Sequence, residues 1–185
     1  GTGVFTALMG IKKYFPNPTA IVTMADDGGS TGILREEFGI LPPGDIRRAM
    51  IALAASHNTT LSHLFNYRFA EGQGLRGHSF GNLMITALER ITGNFESAIT
   101  EASKILQVEG QVLPVTLKPT SLMAELEDGR VIQGETNIDI PQHDGTLQIR
   151  KVWLNPTVPL NPRARKAILE ADGVVRLEQV EGARE

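Results

Sequence analysis

The sequence contains no cysteine, which excludes disulfides and thiolate metal sites. That absence suits a reducing compartment, so a cytoplasmic protein is expected. A basic excess is missing too: 18 Lys and Arg stand against 21 Asp and Glu, for a net charge of -3. Nothing then draws the chain to a polyanion non-specifically, and nucleic acid is not expected as a partner. Long apolar runs are also absent. The longest stretch free of Asp, Glu, Lys and Arg runs from Ala49 to Tyr67 and carries His57, Asn58, Thr59, Thr60, Ser62, His63 and Asn66. No membrane span is expected from it. The opening Gly1-Thr2-Gly3 has neither a basic start nor an apolar block, so no secretory leader is expected. No paired-His metal motif, nucleophile elbow, Walker A loop, internal repeat or low-complexity tract occurs.

What is present is an ordinary globular composition, with 185 residues, 41% of them apolar and 21% charged. A chain this long buries about 70% of its unfolded surface, enough for its own core. A single domain over residues 1–185 is therefore expected.

The first half alternates strand and helix. Residues Val4 to Ile11 read as a helix after Gly1-Thr2-Gly3. Ala20 to Ala25 is a short apolar, β-branched run of strand length, and a fully apolar strand implies a sheet covered on both faces. Pro42-Pro43-Gly44-Asp45 starts a helix with Asp45 as its cap and Ile46, Met50 and Leu53 on one face. After Ser79, residues Phe80, Leu83, Met84, Ala87, Leu88 and Ile91 keep the helical period. Asn94 caps a further helix whose stripe is Phe95, Ala98, Ile99, Ala102 and Leu106. The second half shifts to a period of two. Leu122, Ala124 and Leu126 alternate with Met123, Glu125 and Glu127 before the turn Asp128-Gly129, and a strand returns through Arg130 to Glu135. Leu147 to Leu154 and Gly173-Val174-Val175 read as further strands, with a short helix from Arg163 to Glu170. The pattern predicts an α/β fold: a doubly wound, three-layer core with a mainly parallel sheet over about 1–110 and 157–175, and a small β-rich excursion over about 111–156.

Four polar blocks fall at expected strand ends or helix starts. Asp26-Asp27-Gly28-Gly29-Ser30-Thr31-Gly32 closes the first apolar strand, at the sheet edge where open α/β folds bind ligands. Its glycines let backbone N–H groups crowd round an anion, Asp26 can accept from ribose hydroxyls, and Asp27 can do likewise or hold a divalent ion. The competing reading is a solvated turn. Gly1-Thr2-Gly3 reads as a phosphate loop at a helix start or as an expression remnant. Arg47, in Gly44-Asp45-Ile46-Arg47-Arg48, offers a guanidinium to a phosphate, while one of the two arginines is a surface charge. His78, Ser79 and Asn82 surround the free N–H groups at the head of a helix, as a pyrophosphate or uracil/sugar contact or as a plain cap. Arg68, between Tyr67 and Phe69, reads as buried or site-facing.

Taken in order, these blocks resemble the gluconeogenesis-factor (YvcK-type) branch of the CofD-like family. The resemblance rests on Asp26-Asp27-Gly28-Gly29-Ser30, Leu34-Arg35, Pro42 to Arg47, Tyr67-Arg68-Phe69, Gly77-His78-Ser79 and Gly81-Asn82-Leu83, and extends from residue 1 to about 175. It implies a Rossmann-like fold that binds a nucleotide-containing ligand, with cofactor-binding residues Gly1, Thr2, Gly3, Asp26, Asp27, Gly28, Gly29, Ser30, Arg47, His78, Ser79 and Asn82. It further implies a regulator of carbon metabolism and of cell-wall and cell-shape control, binding a UDP-sugar such as UDP-N-acetylglucosamine, and a homodimer. The alternative within the family is a 2-phospho-L-lactate transferase acting with Mg²⁺; a regulator rather than an enzyme is favoured. The family's first glycine, the strand before it, and a Gly-Pro-Gly-Ser-type loop after Val175 are absent here, so the chain is expected to be incomplete at both ends.

Overall fold

The computed structural model describes residues 2–57, 59–140 and 146–176. Helix α1 (Thr2–Ile11) leads to strand β1 (Thr19–Val22), then α2 (Gly29–Phe38), α3 (Gly44–Leu53), α4 (Thr59–Asn66), α5 (Phe80–Thr92) and α6 (Phe95–Leu106). Strand β2 (Gln111–Pro114) lies parallel to β1, with Thr19 opposite Gln111 and Val22 opposite Pro114. The remaining elements are β3 (Ser121–Leu126), β4 (Val131–Gln133), α7 (Glu135–Asp139), β5 (Ile149–Asn155) and α8 (Pro162–Glu170). The fold is α/β with a parallel pair at its centre, as a Rossmann-like core requires.

The core forms where β-branched and apolar side chains from β1 and β2 meet the helices. Ala20, Val22 and Val112 pack with Ile46, Met50 and Leu53 of α3 and with Phe95, Ile99, Ala102 and Leu106 of α6. Burial of these side chains supplies the main driving force, about 1.5–3 kcal/mol for each large one. The expected faces of α3 and α6 match this packing. The expected face of α5 matches only in part: Met84 and Leu88 pack against the core. Gly81, Asn82, Ile85 and Thr86 are its buried residues, whereas Ala87 is exposed and Ile91 is 79% exposed. Hydropathy alone misses the neighbouring fully buried row, which carries an asparagine and a threonine held by specific hydrogen bonds beside Ile85.

Other expectations also shift. Strand β1 stops at Val22, where the Val115 N–H closes the ladder at 2.8 Å; Met24 and Ala25 remain buried beyond it. Asp45 is not the cap of α3. Pro43 holds that position, and Asp45 lies inside the first turn, 3.7 Å from Arg48. Val174 and Val175 are exposed, and no strand forms at 173–175 among the described residues.

The second sheet is antiparallel, in the order β4-β3-β5. Its hairpin turns at Asp128-Gly129, where Gly129 takes a φ of 83° that glycine adopts without cost. Since β2 belongs with β1, this unit starts at Ser121, later than the boundary expected near 111. Arg35 ties the two sheets together, donating to the Asp26 carbonyl at 2.7 Å and to the Thr120 carbonyl at 3.0 Å. No helix among the described residues is long and apolar enough to cross a membrane.

Candidate functional site

Beyond β1 the chain leaves the ladder at Met24 and turns through Asp26 into α2. A cavity of about 190 Å³ opens there, lined by Asp26, Gly28, Gly29, Ser30, Thr31, Gly44, Arg47, Arg48, Arg68 and Asn82. Glycines make the close approaches possible. A Cβ on Gly44 would collide with the Asp26 carboxylate and the Thr31 hydroxyl. A Cβ on Gly81 would lie 2.6 Å from the Phe65 carbonyl and 2.7 Å from Cδ of Arg47. The starts of α2, α3 and α5 contribute Gly29, Gly44 and Asn82 to the cavity. The N-cap residues of α2 and α3, Gly28 and Pro43, contribute no side-chain cap, and the partial positive charge of a helix start favours an anion.

The buried side chains of Arg47, Asn82, Ser30 and His78 join with the exposed Asn66 into one hydrogen-bonded chain. Arg47 donates from Nη1 to Oδ1 of Asn66 at 2.7 Å and from Nε to Oδ1 of Asn82 at 3.1 Å. Asn82 donates from Nδ2 to Oγ of Ser30 at 3.2 Å, and Ser30 Oγ lies 3.0 Å from Nδ1 of His78. Ser79 caps α5 by accepting from the Asn82 N–H at 3.2 Å. Arg68 donates to the Gly77 carbonyl, holding the strand-like segment that leads into α5.

The charge is divided. Burial, with the neighbouring guanidinium groups of Arg48 and Arg68, lowers Arg47 to about 10. Mutual repulsion of this kind is relieved by an anion. On the other side, burial together with Asp26, Asp45 and Asp27 raises Glu135 to about 7.

The predicted residues therefore separate. Asp26, Gly28, Gly29, Ser30, Arg47 and Asn82 line one cavity. His78 and Ser79 stand behind it and hold Ser30 and Asn82. Asp27 is not among the lining residues; its Oδ1 accepts from the Thr136 N–H at 2.9 Å and hydroxyl at 2.8 Å, docking α7. Gly1 lies outside the described residues, and Thr2 and Gly3 form the start of α1. Arg48 and Glu135 were not singled out by the sequence. For Arg48 the signal was the doubled arginine one turn into a glycine-started helix. Glu135 carried none, since it reaches Asp26 from 109 positions away along the chain by way of the Asp27–Thr136 bond. No group of three or more His, Cys, Asp or Glu among the described residues is arranged to hold a metal ion.

Comparison with known proteins gives a consistent relationship. Residues 1–176 match the family described as 2-phospho-L-lactate transferase CofD. The chain is 54% identical over 176 residues to a curated protein of Nostoc sp., covering 95% of this chain and 38% of that protein. It is 46% identical over 177 residues to a Bacillus subtilis protein named gluconeogenesis factor, covering 95% of this chain and 54% of that one. A crystal structure of a Bacillus halodurans member of the UPF0052 family superimposes with a TM-score of 0.85 at 42% identity, over 93% of this chain and 54% of that one. The chain thus spans about two fifths to just over half the length of these relatives.

Proposed function

The chain belongs to the CofD family, and on that footing we propose that it binds the diphosphate of a nucleotide sugar of the UDP-N-acetylglucosamine kind and acts as a regulator of carbon metabolism and of cell-wall and cell-shape control. The observation that carries this reading is the convergence of three helix starts and Arg47, Arg48 and Arg68 on one polar cavity at the end of β1. Helix starts and guanidinium groups are complementary to phosphate oxygens. Asp26 supplies an acceptor for ribose hydroxyls at the rim. The regulatory part of the reading is supported by the gluconeogenesis-factor name of the B. subtilis relative. A homodimer working in the cytoplasm belongs to the same proposal.

A second reading is favoured by Glu135, which does not line the cavity but is coupled electrostatically to Asp26, which does. A carboxyl raised to about 7 carries and releases a proton near neutrality, as a general acid or base requires. That suits a transferase of the kind the family description names. The donor set here fits Mg²⁺ only through Asp26 together with phosphate oxygens of the ligand, since no ready-made cluster of ligands exists among the described residues.

One experiment tests both. The protein is titrated calorimetrically with UDP-N-acetylglucosamine, with and without Mg²⁺, and the ligand is recovered for mass spectrometry. Saturable binding with intact ligand is expected. Consumption of the ligand would favour the transferase, and no heat in either condition would overturn the nucleotide-sugar reading.

A further inference from the structure

The buried chain behind the cavity has a polarity that the heavy atoms alone determine for most of its length. An arginine Nε can only donate. The Asn82 atom 3.1 Å from it is therefore the carbonyl oxygen, and the amide orientation is settled without appeal to hydrogens. Asn82 Nδ2 must then donate to Ser30 Oγ, filling one of the two lone pairs of that hydroxyl. Only the contact between Ser30 and Nδ1 of His78 is free to run either way. Arg47, Asn82, Ser30 and His78 are all at most 7% exposed, so bulk water does not blur the choice.

The two directions present different faces to the cavity. When Nδ1 of His78 is bare, it accepts the Ser30 hydrogen. Ser30 then turns a lone pair toward the cavity, which repels an anion. When Nδ1 carries a hydrogen, it donates into the second lone pair of Ser30. Both lone pairs are then occupied, and the hydroxyl hydrogen is left to be donated to an acceptor in the cavity that Ser30 lines. There it adds a donor to those of Arg47 and the helix starts.

We propose that His78 is a positioning residue that sets the direction of the Ser30 hydroxyl, and that an anion in the cavity, of the phosphate or diphosphate class, is bound only with a hydrogen on Nδ1 of His78. The inference rests on the anion-binding reading above and deepens it: the site reads the proton position of a residue that never touches the ligand.

The test uses protein labelled with ¹⁵N at histidine, observed by NMR with inorganic pyrophosphate and, separately, with UDP-N-acetylglucosamine as probes. The expected result is that the His78 Nδ1 resonance is that of a protonated nitrogen at saturation with either probe. Ser30→Ala should weaken pyrophosphate by about tenfold or more, the loss expected for a hydrogen bond to a charged group. His78→Asn, whose amide can supply the same donor, should retain affinity within a fewfold, and His78→Phe should lose as much as Ser30→Ala. Circular dichroism and thermal unfolding of each variant report that it folds. Saturable binding with Nδ1 bare, or with Ser30→Ala unchanged, would overturn this inference and leave the anion site standing. Absence of binding by either probe would overturn both.

Discussion

Gly81 decides where Arg47 can lie. The arginine stem crosses the first turn of α5 where a β-carbon would sit 2.7 Å from its Cδ and 2.6 Å from the Phe65 carbonyl. Neither obstacle is the loose end of a side chain. Gly81→Ala should therefore destabilise the fold by about 1–3 kcal/mol, the usual cost of overpacking, and weaken UDP-N-acetylglucosamine binding together with it. Urea unfolding and calorimetry on one preparation would check both; an unchanged stability would show that α5 can shift. Asp27→Asn carries the opposite expectation. Its carboxylate anchors Thr136 and does not line the cavity. The exchange should loosen α7 by about 1–2 kcal/mol while leaving nucleotide affinity within a fewfold. A tenfold loss of affinity would return Asp27 to the site. At this scale the sequence was informative where chemistry and local structure coincide. Ser30, Asn82 and Asp26 stand at helix starts or a strand end, and short-range rules find such positions. Glu135 was invisible, because its surroundings come from distant parts of the chain.

Helices α5 and α6 are adjacent in sequence and show where the periodic pattern succeeds and fails. Helix α6 is a structural element: its apolar stripe and its buried stripe coincide. Helix α5 gives its best-buried row to Asn82 and Thr86, whose side chains satisfy themselves on Ser30 and on the Asn82 carbonyl. A hydropathy period cannot see that bargain, since it scores asparagine as solvent-facing. The caps divide in the same way. Asn94 accepts from the Ser97 N–H at 2.8 Å on the exposed start of α6. Asn94→Ala should cost about 1 kcal/mol of stability and nothing in affinity. Ser79 caps α5 through Asn82 itself. Ser79→Ala should cost a similar amount of stability and also reduce nucleotide affinity, because Asn82 orients Arg47 and Ser30. Paired thermal-unfolding and binding measurements on the two variants separate the roles. Equal affinities would mean that the cap of α5 has no bearing on the site.

For the whole molecule, the joint between the parallel core and the antiparallel unit carries the largest carboxyl perturbation among the described residues. Arg35 and the Asp27–Thr136 pair hold the two sheets together, and Glu135 is drawn into an acidic neighbourhood of Asp26, Asp45 and Asp27. The strand pattern in the sequence announced both sheets but could not announce this joint, since no local rule connects residue 27 with residue 136. Its consequence is a pH dependence of definite sign. Glu135 titrates near 4.5 in an unfolded chain and about 7 in the folded one. Between those values the folded state holds a proton that the unfolded state has released. Stability must then fall as pH rises through this window, and the loss is complete above the folded value. Because Glu135 is only partly buried, solvent screening reduces the size of the effect but not its direction. Denaturant unfolding at about pH 5 and about pH 8 should show the wild type losing stability across the interval. Glu135→Gln removes the titrating group and should flatten this component of the slope, with its greatest relative gain at the higher pH. A variant that kept the wild-type slope would take from Glu135 the proton-carrying role on which the transferase reading depends.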